Sequence, residues 1–251
     1  MTMESNKTFL ILGASSDLGV ALVKKLNEVY RDSLFILHYH SRADRFDGIS
    51  FTAGNRYVPV RADLSEKELV QALIEDIKKM DVSPTHIVHL PAMKMQFTKL
   101  KDFDRDRLDK NVRIQVYSFV EILKAFLPAM IKRKDHSKVV AVVSSVVNGK
   151  PPKSMLEYSL VKNMLLGVVK QLAADNEGKM VNINAVSPSM IDTGFLGDID
   201  PRVIEMAASN SPGGRNASTS EIVPAIMFLL SKDSDYMNGT NLNVSNGSVI
   251  I

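Results

Sequence analysis

A chain of 251 residues, 45% hydrophobic and 24% charged, has room for one α/β domain of ordinary size or two small ones, with a substantial core. It contains no cysteine, which excludes disulfides, zinc–thiolate centres and a Cys nucleophile, and fits a reducing compartment. The net charge is +3, with Lys and Arg scattered and no ladder of basic and aromatic residues, so nucleic acid is not an expected partner.

Residues 1–8 lack an apolar core of signal-peptide length, and no run reaches the length of a membrane-spanning helix. A cytoplasmic protein without a membrane partner is the expectation. The apolar run 8–12 ends at Gly13 and reads as the first strand, followed by helical spacing from Asp17. Strands are expected at 33–38 and 56–60, the latter at an edge because it contains Pro59. A helix follows over 65–79, with Ser65 as N-cap and Glu68 at the capping-box position. Then come a strand at 86–89, a long helix over 106–132, a strand at 139–143 and a helix over 154–176. A strand at 181–186, a helix over 218–231 and a short strand at 241–244 complete the chain. Residues 187–217, rich in Ser, Gly, Pro and Asp, form the least regular segment and read as a substrate loop. Alternation of strand and helix predicts an α/β fold: one domain over 1–251, a doubly wound parallel sheet of about seven strands with helices on both faces.

Tyr158 and Lys162 stand one helical turn apart, on one face of their helix. A nearby cation favours the phenolate, so Lys162 is expected to pull the Tyr158 pKa below its ordinary value of about 10. A tyrosine tuned in that way is a general acid or base. Ser145 follows the buried run 139–143 and can hydrogen-bond the same reacting oxygen. This constellation points to carbonyl or alcohol redox chemistry. The turn from Gly13 through Ser15, Ser16, Asp17 and Leu18 to Gly19 joins the first strand to the first helix. Glycine permits a tight turn there, and a helix N-terminus attracts phosphate.

Taken together, these motifs resemble the short-chain dehydrogenase/reductase family across essentially the whole chain. The family's Thr-Gly-x-x-x-Gly-x-Gly loop corresponds to residues 12–19, with Leu12 and Asp17 in place of the Thr and the middle Gly. The resemblance implies a Rossmann-like dinucleotide fold. It places Asp63 and Leu64 near the adenine and assigns Pro91 and Ala92 to the segment that is Asn-Asn-Ala-Gly in the family, here His89-Leu90-Pro91-Ala92. It makes Asn111, Ser145, Tyr158 and Lys162 a catalytic tetrad. Pro188, with Ser189 for the family's Gly, and Ile191 and Thr193 fall where the family contacts the nicotinamide. Tyr158 and Lys162 are also implied cofactor contacts, Lys162 through the nicotinamide ribose. A homodimer or homotetramer is implied in the same way.

An NAD site typically carries an acid about 20 residues beyond the glycine turn. Residues 37–43 contain no carboxylate, whereas Ser41 and Arg42 can hold a 2′-phosphate. NADP(H) is therefore favoured over NAD(H). His38, His40, His86 and His89 lack a metal-site pattern and read as structural, and no metal is expected. Met93, Met95, Met190 and Met206 lie in loops at strand carboxyl ends and can line an adaptable apolar pocket. The resulting expectation is an oxidoreductase acting on a small-molecule carbonyl or alcohol, closest to 3-oxoacyl-thioester reductases. A dehydrogenase of a sugar, polyol or other small polar substrate is the second enzymatic reading. A non-catalytic dinucleotide-sensing scaffold is the third, suggested by the altered positions Leu12, Asp17, Leu90, Ala92 and Ser189.

Overall fold

A computed structural model describes residues 4–250; Met1 to Met3 and Ile251, the ends of the expected 1–251 domain, lie outside the described residues. Seven strands form one parallel sheet: β1 (Thr8–Leu12), β2 (Leu34–Tyr39), β3 (Arg56–Arg61), β4 (His86–His89), β5 (Ser137–Val142), β6 (Val181–Pro188) and β7 (Asn241–Val244). Their spatial order is β3-β2-β1-β4-β5-β6-β7, which puts Pro59 on an edge strand as expected. Glu4–Ser5 and Tyr30–Arg31 add a two-stranded parallel ladder beside it.

The inner strands are apolar on both faces because helices cover both. Alternate residues of β1 enter different layers. Phe9 and Ile11 pack with Leu22 and Leu26 of α1 (Asp17–Val29) and Ile222 and Ile226 of α7 (Thr219–Leu230). Leu10 and Leu12 enter the opposite layer. That layer also holds α2 (Lys67–Lys79), α4 (Ser118–Met130) and α5 (Leu156–Asp175), through Leu73, Phe119, Ile122 and Leu165. Phe9 stacks on Phe35 of the neighbouring strand, ring centroids 5.1 Å apart.

The chain winds outward from β1 to β3, then returns to pair β4 on the other side of β1. The connections leaving β1 and β4 therefore run to opposite faces of the sheet, and ligands of open α/β sheets bind at such a reversal. Gly13, after β1, has φ +73°, and a Cβ there would lie 3.2 Å from the Pro91 nitrogen after β4. Both facts require glycine at the point where the two strand ends approach.

Three expectations need correction. Ser65 does not cap α2: its N–H and hydroxyl both donate to Asp63 Oδ1, and the helix starts at Lys67 without a side-chain cap. The expected long helix 106–132 divides into α3 (Arg105–Val112), a π-helical turn at Arg113–Tyr117, and α4. His89, in a tautomer protonated at Nε2, donates to the Gln115 carbonyl of that turn at 2.8 Å. Finally, residues 187–217 contain helix α6 (Pro201–Asn210), with Pro201 in its first turn and Asp200 accepting from the Arg202 N–H. A bridge between Ile191 and Ala217 closes the base of this excursion. A capping box starts α7, with Glu221 accepting from the Ser218 N–H. Among the described residues, no helix is long and apolar enough to cross a membrane.

Candidate active site

A cleft of about 690 Å³ opens along the carboxyl ends of the strands. At one end is the turn after β1. Ser16 caps α1, accepting from the Gly19 N–H at 3.0 Å and donating to the Gly13 carbonyl at 2.8 Å. His38, at the end of β2, accepts from the Gly13 N–H through Nδ1 at 3.1 Å, while Nε2 donates to the Ala62 carbonyl at 3.1 Å. Burial holds its pKa at about 4, so the ring is neutral and keeps the tautomer that fixes the turn. The first N–H groups of α1 have no partner within the helix, and Asp17 and Leu18, which carry them, line the cleft. A positive-φ glycine, a capped turn and a helix N-terminus suit a dinucleotide's phosphates.

Gly13, Ser15, Ser16, Asp17, Leu18, Ser41, Arg42, Asp63, Leu64, Pro91, Ala92, Pro188, Ile191 and Thr193 all line this one cleft. Gly19 does not. It is buried beneath the turn, where a Cβ would fall 2.5 Å from the Ala14 carbonyl oxygen, so it serves close packing of helix and turn. Arg42 is already engaged: it donates from Nε and Nη2 to both oxygens of Asp44, at 2.9 and 2.7 Å, in an exposed pair. His40 stands 3.5 Å from Asp63.

The other end of the cleft holds Ser144, Ser145, Tyr158 and Lys162. The serines follow β5, and the short turn Ser145–Val147 starts there. Lys162 is 3% exposed and donates to the Val142 carbonyl at 3.2 Å, and its Nζ lies 5.8 Å from the Tyr158 ring centroid. Burial lowers its pKa from 10.5 to about 7. The Tyr158 pKa moves the opposite way from the sequence expectation. Desolvation raises it, and a hydrogen bond with Ser144 offsets this in part. Burial of the phenol itself is the physical reason for the reversal, because a desolvated site disfavours the phenolate. Asn111 is absent from the cleft wall. It lies behind it, buried, with Oδ1 accepting from Gln115 Nε2 at 2.6 Å.

Beside Tyr158 stands an apolar cluster of Met95, Met155, Leu196 and Ile199, packed with Val146, Met190, Phe195 and Ile204. Of the four methionines expected here, Met95 and Met190 line the cleft, whereas Met206 is exposed and Met93 stays outside the wall. A buried clamp secures this side. Glu157 accepts from Arg107 Nε and Nη2, both at 2.7 Å, and from the Asp104 N–H at 3.1 Å. Arg107 also donates to Gln96 and Thr98, which fastens the segment carrying Met95 to the start of α5.

The chain matches the family described as enoyl-(acyl carrier protein) reductase over residues 13–248. It is 30% identical over 246 residues to the oxidoreductase YmfI of Bacillus subtilis, covering 96% of this chain and 98% of that one. The chain belongs to the short-chain dehydrogenase/reductase family. A further short-chain dehydrogenase/reductase relative, the 3-oxoacyl-[acyl-carrier-protein] reductase FabG of Buchnera aphidicola, is 25% identical over 248 residues, covering 98% and 99% of the two chains. Among solved folds, a 3-oxoacyl-[acyl-carrier protein] reductase from Brucella melitensis with bound NAD superposes with a TM-score of 0.84 at 20% identity, over 97% and 91% of the two chains.

Within this short-chain dehydrogenase/reductase frame, sequence reasoning missed several residues. Ser144, Arg45, Gly194 and Met155 line the cleft, and His38 fixes its turn. Ser144 had a visible signal, since it is a hydroxyl directly before Ser145. Arg45 and Gly194 had none, because their partner Asp17 is 28 and 177 residues away.

Proposed function

We propose that the protein is an NADP(H)-preferring oxidoreductase that interconverts a 3-oxoacyl thioester and its secondary alcohol. The observation that carries this reading is the placement of Tyr158, Lys162, Ser144 and Ser145 beside the apolar Met95–Met155–Leu196–Ile199 cluster. An acyl chain needs such a surface, and a polyol does not.

When bound, the dihydronicotinamide supplies a hydride to the carbonyl carbon. Ser145 holds the carbonyl oxygen, and Ser144 orients the phenol. Tyr158 then gives its proton to that oxygen, or removes it from the alcohol in the reverse direction. A protonated Lys162 favours the phenolate that remains, so the two side chains act as one acid–base unit. Asn111 acts from behind the wall, as an anchor for proton exchange between Lys162 and solvent. The turn 13–18 would hold the phosphates, Asp63 and Leu64 the adenine, and Pro91, Ala92, Pro188, Ile191 and Thr193 the nicotinamide half. Tyr158 and Lys162 would reach its ribose. The lack of an acid in residues 37–43, with Ser41 and Arg42 present, supports NADP(H), although a 2′-phosphate must draw Arg42 from Asp44.

Exposed Tyr117, Val120, Leu160 and Met164 on α4, α5 and the π-helical turn support a homodimer or homotetramer through that face. The cysteine-free composition supports a cytoplasmic setting.

The test is turnover of acetoacetyl-CoA with NADPH and with NADH. The reading predicts NADPH-dependent reduction, lost about a thousandfold in Tyr158→Phe, with NADPH affinity kept. A Tyr158→Phe enzyme with ordinary kcat overturns the proton-transfer role. Turnover of polyols but not thioesters transfers the protein to the sugar or polyol class. Tight NADPH binding without any carbonyl turnover leaves the sensing scaffold.

A further inference from the structure

Asp17 occupies the position where the family's turn has its middle glycine, and it is the first residue of α1. Its side chain is only one-third exposed, at 33%, and both carboxylate oxygens are engaged. Oδ1 pairs with Arg45 Nη2, and Oδ2 accepts from the Gly194 N–H at 2.7 Å. Arg45 belongs to the short turn Ala43–Phe46 after β2, and Gly194 opens the short turn Gly194–Leu196 after β6. One carboxylate therefore joins three separate pieces of chain across the cleft: the glycine turn, the segment following Arg42, and the start of the substrate loop. All three residues line the cavity.

The groups that Asp17 engages are of the kind that hold phosphate, a guanidinium and a backbone N–H at a turn start, and they lie beside the N-terminus of α1. The protein supplies its own anion to donors that a dinucleotide would use. We infer that Asp17 is a resident anion of the phosphate cradle, which competes with the cofactor for Arg45 and the Gly194 N–H. In its place it pins the substrate loop to the glycine turn. The inference rests on the dinucleotide reading above. Two anions in one cradle repel, and the entering phosphate must displace the carboxylate from one or both donors. Asp17 thus weakens affinity for NADPH and NADH alike, since both carry the pyrophosphate. Displacement also frees Gly194, so cofactor entry loosens the tie on the loop that carries Leu196 and Ile199 to the substrate side.

The experiment compares the full-length protein with Asp17→Asn, which keeps the shape and removes the charge, and with Asp17→Gly, which restores the family's residue. NADPH and NADH are titrated by fluorescence, and hydrogen exchange is followed across residues 190–200 without cofactor. The expected result is about a tenfold tighter Kd for both cofactors in Asp17→Asn, and faster exchange at Gly194 in Asp17→Gly, which removes the acceptor. A Kd unchanged or weaker in both folded variants overturns the competition, with the dinucleotide reading intact because the wild type binds. Unchanged exchange at Gly194 overturns the tie. Failure of wild type and both variants to bind either cofactor removes the dinucleotide reading, and this inference with it.

Discussion

Two buried lysines place their ammonium groups at opposite ends of β5, Lys138 from the strand and Lys162 from α5, with very different surroundings. Lys138, at the amino end, is 1% exposed. It donates to Asn182 Oδ1 at 2.9 Å, to Ser234 Oγ at 3.3 Å and to Asp235 Oδ1 at 2.6 Å. The Lys162 ammonium, at the carboxyl end, belongs to a residue 3% exposed, and among the described residues its one hydrogen-bond acceptor is the Val142 carbonyl. The amino end of the sheet compensates its buried charge fully and ties β5 to β6 and to the turn after α7. The carboxyl end leaves its ammonium undercompensated, and burial brings the pKa to about 7. A group so poised is useless as a strut and well suited to proton chemistry. The difference separates the structural end of the sheet from the end proposed above as reactive more sharply than residue type does.

The largest expected effect lies at the structural end. Asp235→Ala leaves the Lys138 ammonium buried without its carboxylate, which costs about 2 kcal/mol because Asp235 is itself partly solvated. Urea unfolding should show a lower midpoint at unchanged slope, with kcat kept. A loss below about 0.5 kcal/mol would mean that Asn182 and Ser234 suffice, and the contrast would shrink.

Lys162→Met should move stability the other way. The wild-type ammonium is held from 10.5 down to about 7, so the unfolded chain binds more protons between those values. Native stability therefore rises with pH through that window, and the penalty is complete below pH 7. Replacement by Met removes the penalty. At roughly 1.4 kcal/mol per pH unit the gain cannot exceed about 5 kcal/mol, and the lost hydrogen bond and relaxation reduce it to about 1–2 kcal/mol at pH 6. The gain should fade as pH approaches 10.5, while carbonyl turnover is lost. A Met variant less stable than wild type at pH 6 would show Lys162 to be a strut like Lys138.

The same contrast explains what could be read from the sequence. The sheet was legible, because the runs 8–12 and 139–143 are continuously apolar, and its edge was legible from Pro59. The spacing of Tyr158 and Lys162 put both on one helical face, and that face is the cleft. The direction of their pKa values was not legible, because desolvation depends on what packs over them, and spacing carries no such information. Helix α6 was hidden by the polar composition of its surroundings, although Asp200 and Pro201 are ordinary start signals. Ser65 carried a cap signal, yet Asp63 accepts both of its bonds first. The π-helical turn was hidden too: its Gln115 carbonyl meets His89, 26 residues away, while the Gln115 amide holds the buried Asn111.

The smallest effect sharpens the reactive end itself. Glu157 precedes Tyr158, is buried, and receives two guanidinium donors of Arg107 and one backbone N–H. Arg107 holds its carboxyl below the usual range, so the pair is ionic at neutral pH. Unlike Lys162, this charge is compensated, and its task is to fasten the segment of Met95 against α5. Glu157→Gln places an amide against the same donors and weakens the fastening by about 1 kcal/mol, since Arg107 is partly solvated. The apolar wall then loosens while the acid–base groups remain. The KM for a 3-oxoacyl thioester should rise severalfold with kcat within about twofold. A fall in kcat at constant KM would instead make the clamp part of the proton-transfer geometry, and would extend the reactive end one residue further along α5.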